Sequence, residues 1–306
     1  KAYVFDQKWA EARTVLDEVI NSGKYALYTG PYENLLLFQG EHSCENVLEA
    51  NIIEDKNNRI GGWPACMELV FGWRAQNFHI DGDATDLHTS IGYGIGHPMR
   101  GLYDAFVEME GANGYRLTNS LKNYDQIKAM GCYILPGVTL EQHDGIFLWK
   151  IRAQYRSFTY GGVYYGYQSH NNRRYMRYAE VLLLAAEAHL QAGGDATKAT
   201  TYLNEVRARA QLAPVASATM DDVKKEKRLE LHHEGVRFLD LVRWGDAPTA
   251  LGNKGQAVGV FSADGTWIPD YFSNPNGGFK TGKNEVLPFP TLEMTVNKNL
   301  VQNPGY

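Results

Sequence analysis

Cysteine is scarce: Cys44, Cys66 and Cys132 are the whole complement, an odd number with no Cys-x-x-Cys pair. They supply neither a zinc site nor a disulfide framework. A single Cys44–Cys66 bridge is open to the chain, while buried thiols acting as small hydrophobes are the expected state. Also missing is any apolar run approaching the ~20 residues that a membrane-spanning helix requires. No basic excess exists, since the net charge is −5 and the sequence pI about 6.0. That removes the electrostatic case for a nucleic-acid partner. Catalytic signatures are equally sparse. There is no GxSxG nucleophile elbow, and His232-His233-Glu234 lacks the HExxH spacing that sets two imidazoles on one helix face, so it reads as structural. Gly92-Tyr-Gly-Ile-Gly96 has neither the preceding strand nor the later acidic residue of a dinucleotide site and reads as a turn. No cofactor is implied.

What is present is a chain of 306 residues with 44% hydrophobic content, enough for a large core. Lys227–Gly245, KRLELHHEGVRFLDLVRWG, organises it. Arg228, Glu230, Glu234, Arg237, Asp240 and Arg243 are interleaved there with Leu229, Leu231, Phe238, Leu239, Leu241 and Trp244. Several of these charges stand at i,i+3 and i,i+4 spacing, where helical neighbours pair. Gly235 divides the run into two helices or one bent helix. Balanced charge in an amphipathic stretch reads as packed helices fixed by ion pairs.

Helical periodicity also marks Phe5–Ser22, ended by Gly23, and Pro98–Met109. Arg174–Ala192 is apolar nearly all round and stops at Gly193-Gly194. Asp195 is placed to cap the next helix, Ala196–Ala210, and the pair reads as a tetratricopeptide-like helical hairpin. Thr219 and Asp222 offer a capping box to the helix that follows. Asn46–Ile53 reads as extended, and Asp144–Tyr167 as strand and loop with a hairpin across Gly161-Gly162. Beyond Trp244 the glycines and prolines read as loop, with one turn at Thr291–Met294.

Three ordered blocks carry a resemblance to a known family. RYAEVLLLAAEAHLQAGGDATKATTYLNEVRARAQL (Arg177–Leu212), KRLELHHEGVRFLDLVRWG and EVLPFPTLEMTVNKNLVQNPGY (Glu285–Tyr306) look like successive signatures of the SusD/RagB family. Lys227 stands where that family usually has Glu. The resemblance implies a mostly α, SusD-like fold of tetratricopeptide-like hairpins with a loop-rich, aromatic-containing insertion and little β. One domain is expected over residues 1–306, with scaffold at about 5–22 and 174–245, a candidate ligand-binding region at about 61–170 and a loop-rich tail at 246–306. It further implies a non-catalytic, surface-exposed outer-membrane lipoprotein that captures a glycan and delivers it to a SusC-like TonB-dependent transporter. Peptide capture, as in the RagB branch, is the alternative. A leader, the lipid-bearing cysteine and several early helices are then expected upstream of Lys1.

Candidate ligand residues come from aromatics that fall outside helix stripes. Trp63, Trp73 and Tyr93 lie in the irregular Gly61–Gly96 stretch, near Arg74, Asn77 and Asp81. A sugar offers an apolar CH face to a flat ring and hydroxyls to planar polar groups, the division of labour found in ligand pockets generally. Tyr160, Tyr164, Tyr165 and Tyr167 form a second aromatic cluster, for which cross-strand packing is the competing role. His79, Asp81, Asp83, Asp86 and His88 resemble a calcium loop only in part, because Gly is missing from position six and position twelve is Gly92. A solvated loop without metal is expected. Paired carboxylates for glycoside hydrolysis are defined by a three-dimensional separation, and no pair is nominated by sequence.

Overall fold

A computed structural model describes residues 1–52, 67–81, 92–152, 154, 159–160, 163–164, 169–252, 257–271 and 278–306. Helices dominate. The central one, Tyr178–Gln191, is buried at every position from Tyr178 to His189. A helix that is apolar all round has to be enclosed on every side, and this one is. It packs against Trp9–Asn21, Ala196–Arg209 and Met220–Glu230. Leu182, Leu183 and Leu184 meet Leu16, Leu203 and Val223 in the resulting core.

The helix ends obey the sequence signals. Gly193 takes φ +58° just past the Tyr178–Gln191 helix. The Asp195 carboxylate accepts from the Thr197 and Lys198 amides. Thr219 and Asp222 form a reciprocal capping box, which satisfies amide donors that otherwise lack a partner. Gly235, at φ +80°, separates Met220–Glu230 from Arg237–Trp244, so the organising stretch is two helices.

Four expectations change. Arg173–Arg177 is a strand, so the central helix starts at Tyr178 and not at Arg174; the strand pairs antiparallel with Asn46–Ala50. The first helical stretch divides into Ala2–Phe5 and Trp9–Asn21, with Gln7 at φ +55° between them. The stretch after Trp244 holds a helix, Ala247–Leu251, and an antiparallel pair, Ala257–Ser262 with Trp267–Tyr271. Cys44 is free and exposed and Cys132 free and buried, so Cys44 is neither bridged nor a buried thiol. Cys66 lies outside the described residues. Thr159–Tyr160 does pair with Val163–Tyr164 across Gly161-Gly162. Further pairs join Phe78–Ile80 to Cys132–Ile134 and Leu121–Asn123 to Ile146–Leu148.

A buried ion network locks the two halves of the organising stretch onto the rest. Glu230 accepts from Arg116, Arg177, Arg209 and the Tyr32 hydroxyl, the last at 3.1 Å. Glu234 accepts from Arg177 Nε at 2.7 Å and from Lys150 Nζ at 2.6 Å. Glu45 bridges Arg177 and Arg209. Asp240 pairs with Lys227 at 2.8 Å and with Arg243. Lys227, the departure from the family pattern, therefore has a partner on the next helix. Burial alone would raise the Glu230 carboxyl, but Arg209, Arg177, Lys150 and Arg116 hold it far below the ordinary range. Only opposite charge and hydrogen bonds at contact distance offset the cost of burying so many ions.

Candidate functional site

A cavity of about 370 Å³ opens where three segments meet: 73–78, 94–97 and 139–143. The first two are held together through backbone. Gly92 N donates to Trp73 O at 3.1 Å, Gly94 N to Gly72 O at 2.9 Å and Ile95 N to Val70 O at 2.9 Å. The approach is so close that a Cβ on Gly92 would lie 2.3 Å from the Gly72 carbonyl carbon. The glycines expected to form a turn are instead a strip laid directly on a neighbouring backbone, a use to which only glycine is suited. On the facing wall, Thr139 and Leu140 pair with Ser262 and Phe261, and His143 N donates to Gly259 O at 2.7 Å.

The floor is apolar. Trp73, Phe78 and Leu140 belong to one cluster with Phe147 and Trp149. Trp73 is 1% exposed and sits edge-on to Phe147, with ring centroids 5.1 Å apart. An enclosed ring has no free face for a sugar, so the stacking platform expected at Trp73 is corrected to a core anchor beneath the cavity. Arg74, by contrast, is exposed, and its Nε donates to Tyr93 O at 2.8 Å. Asn77 is half-buried on the same rim. Tyr93 is half-buried and joined to the rim through that Arg74 bond.

Asp81 stands apart from this group. It is exposed at the end of the Phe78–Ile80 strand, 3.1 Å from His79 Nε2. Trp63 lies outside the described residues, as do Asp83, Asp86, His88, Tyr165 and Tyr167; the side chains of Tyr160 and Tyr164 are likewise not described. Among the described residues no group of three or more His, Cys, Asp or Glu is placed to hold a metal ion.

The wall that sequence reasoning did not nominate is 139–143, together with His97. Glu141 is exposed, and Oε1 accepts from Thr139 Oγ1 at 3.1 Å. Gln142 is exposed at φ +54°, a left-handed conformation that costs a non-glycine residue energy and recurs at functional sites. The His97 and His143 rings are in contact, tilted by 54° with centroids 4.2 Å apart. His143 Nδ1 accepts from Gly145 N at 2.9 Å, which leaves its proton on Nε2. Burial lowers His97 to about 4 and pushes His143 well below its ordinary value. Both rings are therefore neutral at pH 7. Among the lining residues Arg74 supplies the positive charge and Glu141 the negative one. Apolar floor, amide, guanidinium and carboxylate are together suited to a polyhydroxylated ligand.

A helical scaffold of antiparallel pairs with short strands beside it is a fold that recurs among solved proteins. Its solved examples include a laminarin-binding SusD-like protein, matched at a TM-score of 0.74 and 26% identity over 99% of this chain and 60% of that one. Surface glycan-binding protein A from Bacteroides uniformis matches at a TM-score of 0.70 and 27% identity, over 98% and 58%. A SusD-like protein, P2, of Formosa agariphila is 29% identical over 242 residues, which is 74% of this chain and 43% of its own length. The sequence model of the SusD family matches residues 102–306, and the chain belongs to that family. It spans about 60% of the solved relatives and 43% of the first curated one.

Proposed function

We propose that this chain is part of a cell-surface protein that captures an oligosaccharide or polysaccharide without cleaving it and delivers it to a SusC-like TonB-dependent transporter in the outer membrane. A lipid upstream of these residues would hold it at the membrane; no helix among the described residues is long and apolar enough to cross one. The observation that carries the reading is the cavity. Its floor of buried rings and its rim of Arg74, Asn77, Glu141 and Gln142 combine apolar contact with a few placed polar groups. Two SusD-fold relatives above 25% identity are named as binders of laminarin or of surface glycan, which supports the same ligand class. Arg74 and Asn77 act as hydroxyl ligands, and Tyr93 fixes Arg74. Trp63 is the proposed stacking ring, and Asp81 a peripheral polar contact.

Affinity electrophoresis against neutral and charged polysaccharides tests the proposal, with Arg74→Ala and Asn77→Ala run beside the parent. Retardation by one glycan, reduced by either substitution, is the expected result. Turnover of the retained glycan would refute the non-catalytic reading. Retention of peptides in place of every glycan would replace the ligand class.

A further inference from the structure

His97 is shared with a second, larger space. A cavity of about 730 Å³ extends from it between the start of the Arg100–Glu110 helix, the Arg237–Trp244 helix and Trp267. Three guanidinium groups line it. Arg100 is committed: it lies over the Trp267 ring at 4.8 Å and donates to Asp144 O at 3.2 Å. Among the described residues Arg228 makes one hydrogen bond, to the Gly101 carbonyl at 3.0 Å. Arg237 is half-buried and makes no hydrogen bond or ion pair with any described residue.

The acids near Arg237 are already taken. Asp240 is held by Lys227 and Arg243, and Asp246 by Lys224. Asp144, which lines the cavity, has both oxygens occupied: Oδ1 by Gly259 N and Trp267 Nε1, Oδ2 by Arg100 N. Asp104 is exposed at the mouth and is the remaining carboxylate of the lining. Burial first, and then the charge of Arg228, weaken the hold of Arg237 on its proton, yet a guanidinium stays charged at any physiological pH. A cation that is half removed from water and beside a second cation, with the nearby Asp240 and Asp246 charges already shared with Lys227, Arg243 and Lys224, favours an anion in the space between them. The planar fork of Arg matches carboxylate and sulfate oxygens.

We propose that this second cavity binds the carboxylate or sulfate of an acidic sugar through Arg228 and Arg237, extending the glycan site past His97. The inference rests on the glycan reading above and deepens it to a charged polysaccharide. Trp267 supplies an amphipathic wall, and the Arg pair discriminates against neutral chains.

Calorimetry with the purified chain tests it, using an oligogalacturonate, a sulfated galacto-oligosaccharide and a neutral gluco-oligosaccharide of equal length. One of the two charged probes is expected to bind more tightly than the neutral one, and to weaken as salt is raised. Which of the two binds separates carboxylate from sulfate. Arg237→Gln and Arg228→Gln should each cost about tenfold or more for the charged probe, the scale of a lost charge-assisted hydrogen bond. Asp104→Asn should tighten that probe, a gain that a merely structural role would not produce. Arg237 has no hydrogen bond or ion pair to lose among the described residues, so its variant should keep the parent melting temperature. Equal affinity for charged and neutral probes, or charged binding indifferent to both arginines, overturns the inference while leaving glycan capture intact. Failure of every sugar, with an acidic peptide bound in an Arg237-dependent way, overturns both.

Discussion

Arg177 is the residue whose loss should be felt most. Its side chain is 1% exposed and reaches three carboxylates: Glu45, Glu230 at 3.0 Å and Glu234 at 2.7 Å. These carboxylates lie on the Glu45 turn and the Glu230–Glu234 segment, so one guanidinium ties residues far apart in sequence. Arg177→Met fills much of the volume but strands acids that are enclosed with their remaining cations. Breaking a buried pair from one side costs about 3–5 kcal/mol. For a chain of this size that is about 6–10 °C in melting temperature, taking roughly 2 °C per kcal/mol. Urea unfolding of parent and variant reads the difference as a shift in midpoint at unchanged slope.

Acid provides the second arm. Burial would raise Glu230 and Glu234, but the cations around them hold both below the ordinary range. A depressed carboxyl stabilises the fold above its unfolded value, near 4.3, and that contribution fades as pH falls toward the folded value. The parent should therefore lose stability on acidification below about pH 4, more steeply than Arg177→Met, whose acids are already less depressed. A loss under about 1 kcal/mol, with parallel acid profiles, would mean that the network behaves as a set of surface pairs and that this reasoning is wrong.

Other substitutions separate scaffold from site. Trp73→Ala should destabilise by about 3–5 kcal/mol, the cost of emptying a core aromatic site; a stable variant that loses only glycan affinity would restore Trp73 as a ligand residue. Gly92→Ala forces its new methyl group into the Gly72 backbone 2.3 Å away, and both stability, by about 1–3 kcal/mol, and glycan affinity should fall because the strip it begins lines the cavity from Gly94 to His97. Lys150→Met removes a 0% exposed ammonium that donates to Glu230 O and Glu234. Its denaturation midpoint should drop while the glycan dissociation constant stays within about twofold, since the ion network and the cavity floor face opposite ways.

Which features were readable from the chain depends on whether their cause is local. Helix ends set by Asp195, Thr219, Gly193 and Gly235 were legible because caps and left-handed glycines act within four residues. The strand at Arg173–Arg177 was not, since its partner at Asn46–Ala50 is more than a hundred residues away and the run continues straight into a strongly periodic helix. The charges of the organising stretch were read as pairing among themselves. Asp240 and Arg243 do so, but Glu230 and Glu234 take partners from Arg116, Lys150, Arg177 and Arg209, which no spacing rule connects. Trp73 carried no inside-or-outside signal, flanked as it is by Gly72 and Arg74 without periodicity. Its neighbours Arg74 and Asn77 do reach the cavity rim. The opposite wall, 139–143, has no marker in sequence because its role comes from pairing with Phe261 and Ser262.

The short stretch from Ile146 to Lys150 explains how a rigid scaffold and an open cavity coexist. Side chains on extended backbone alternate between two faces. Phe147 and Trp149 point into the cluster under the cavity, with Trp73 and Phe78. Ile146 and Leu148 point the other way, into the cluster with Leu35, Phe106 and Leu229. Lys150 then enters the ion network. One extended strip thereby forms the boundary between the locked interior and the site, and the apolar contacts on both its faces fix its position. The polar rim can then vary in residue type without disturbing the core, since Arg74, Glu141 and Gln142 are exposed and none of them belongs to the buried ion network. On the proposed glycan reading, ligand choice rests with exposed side chains whose removal costs the fold little, while the rings beneath them support the cavity.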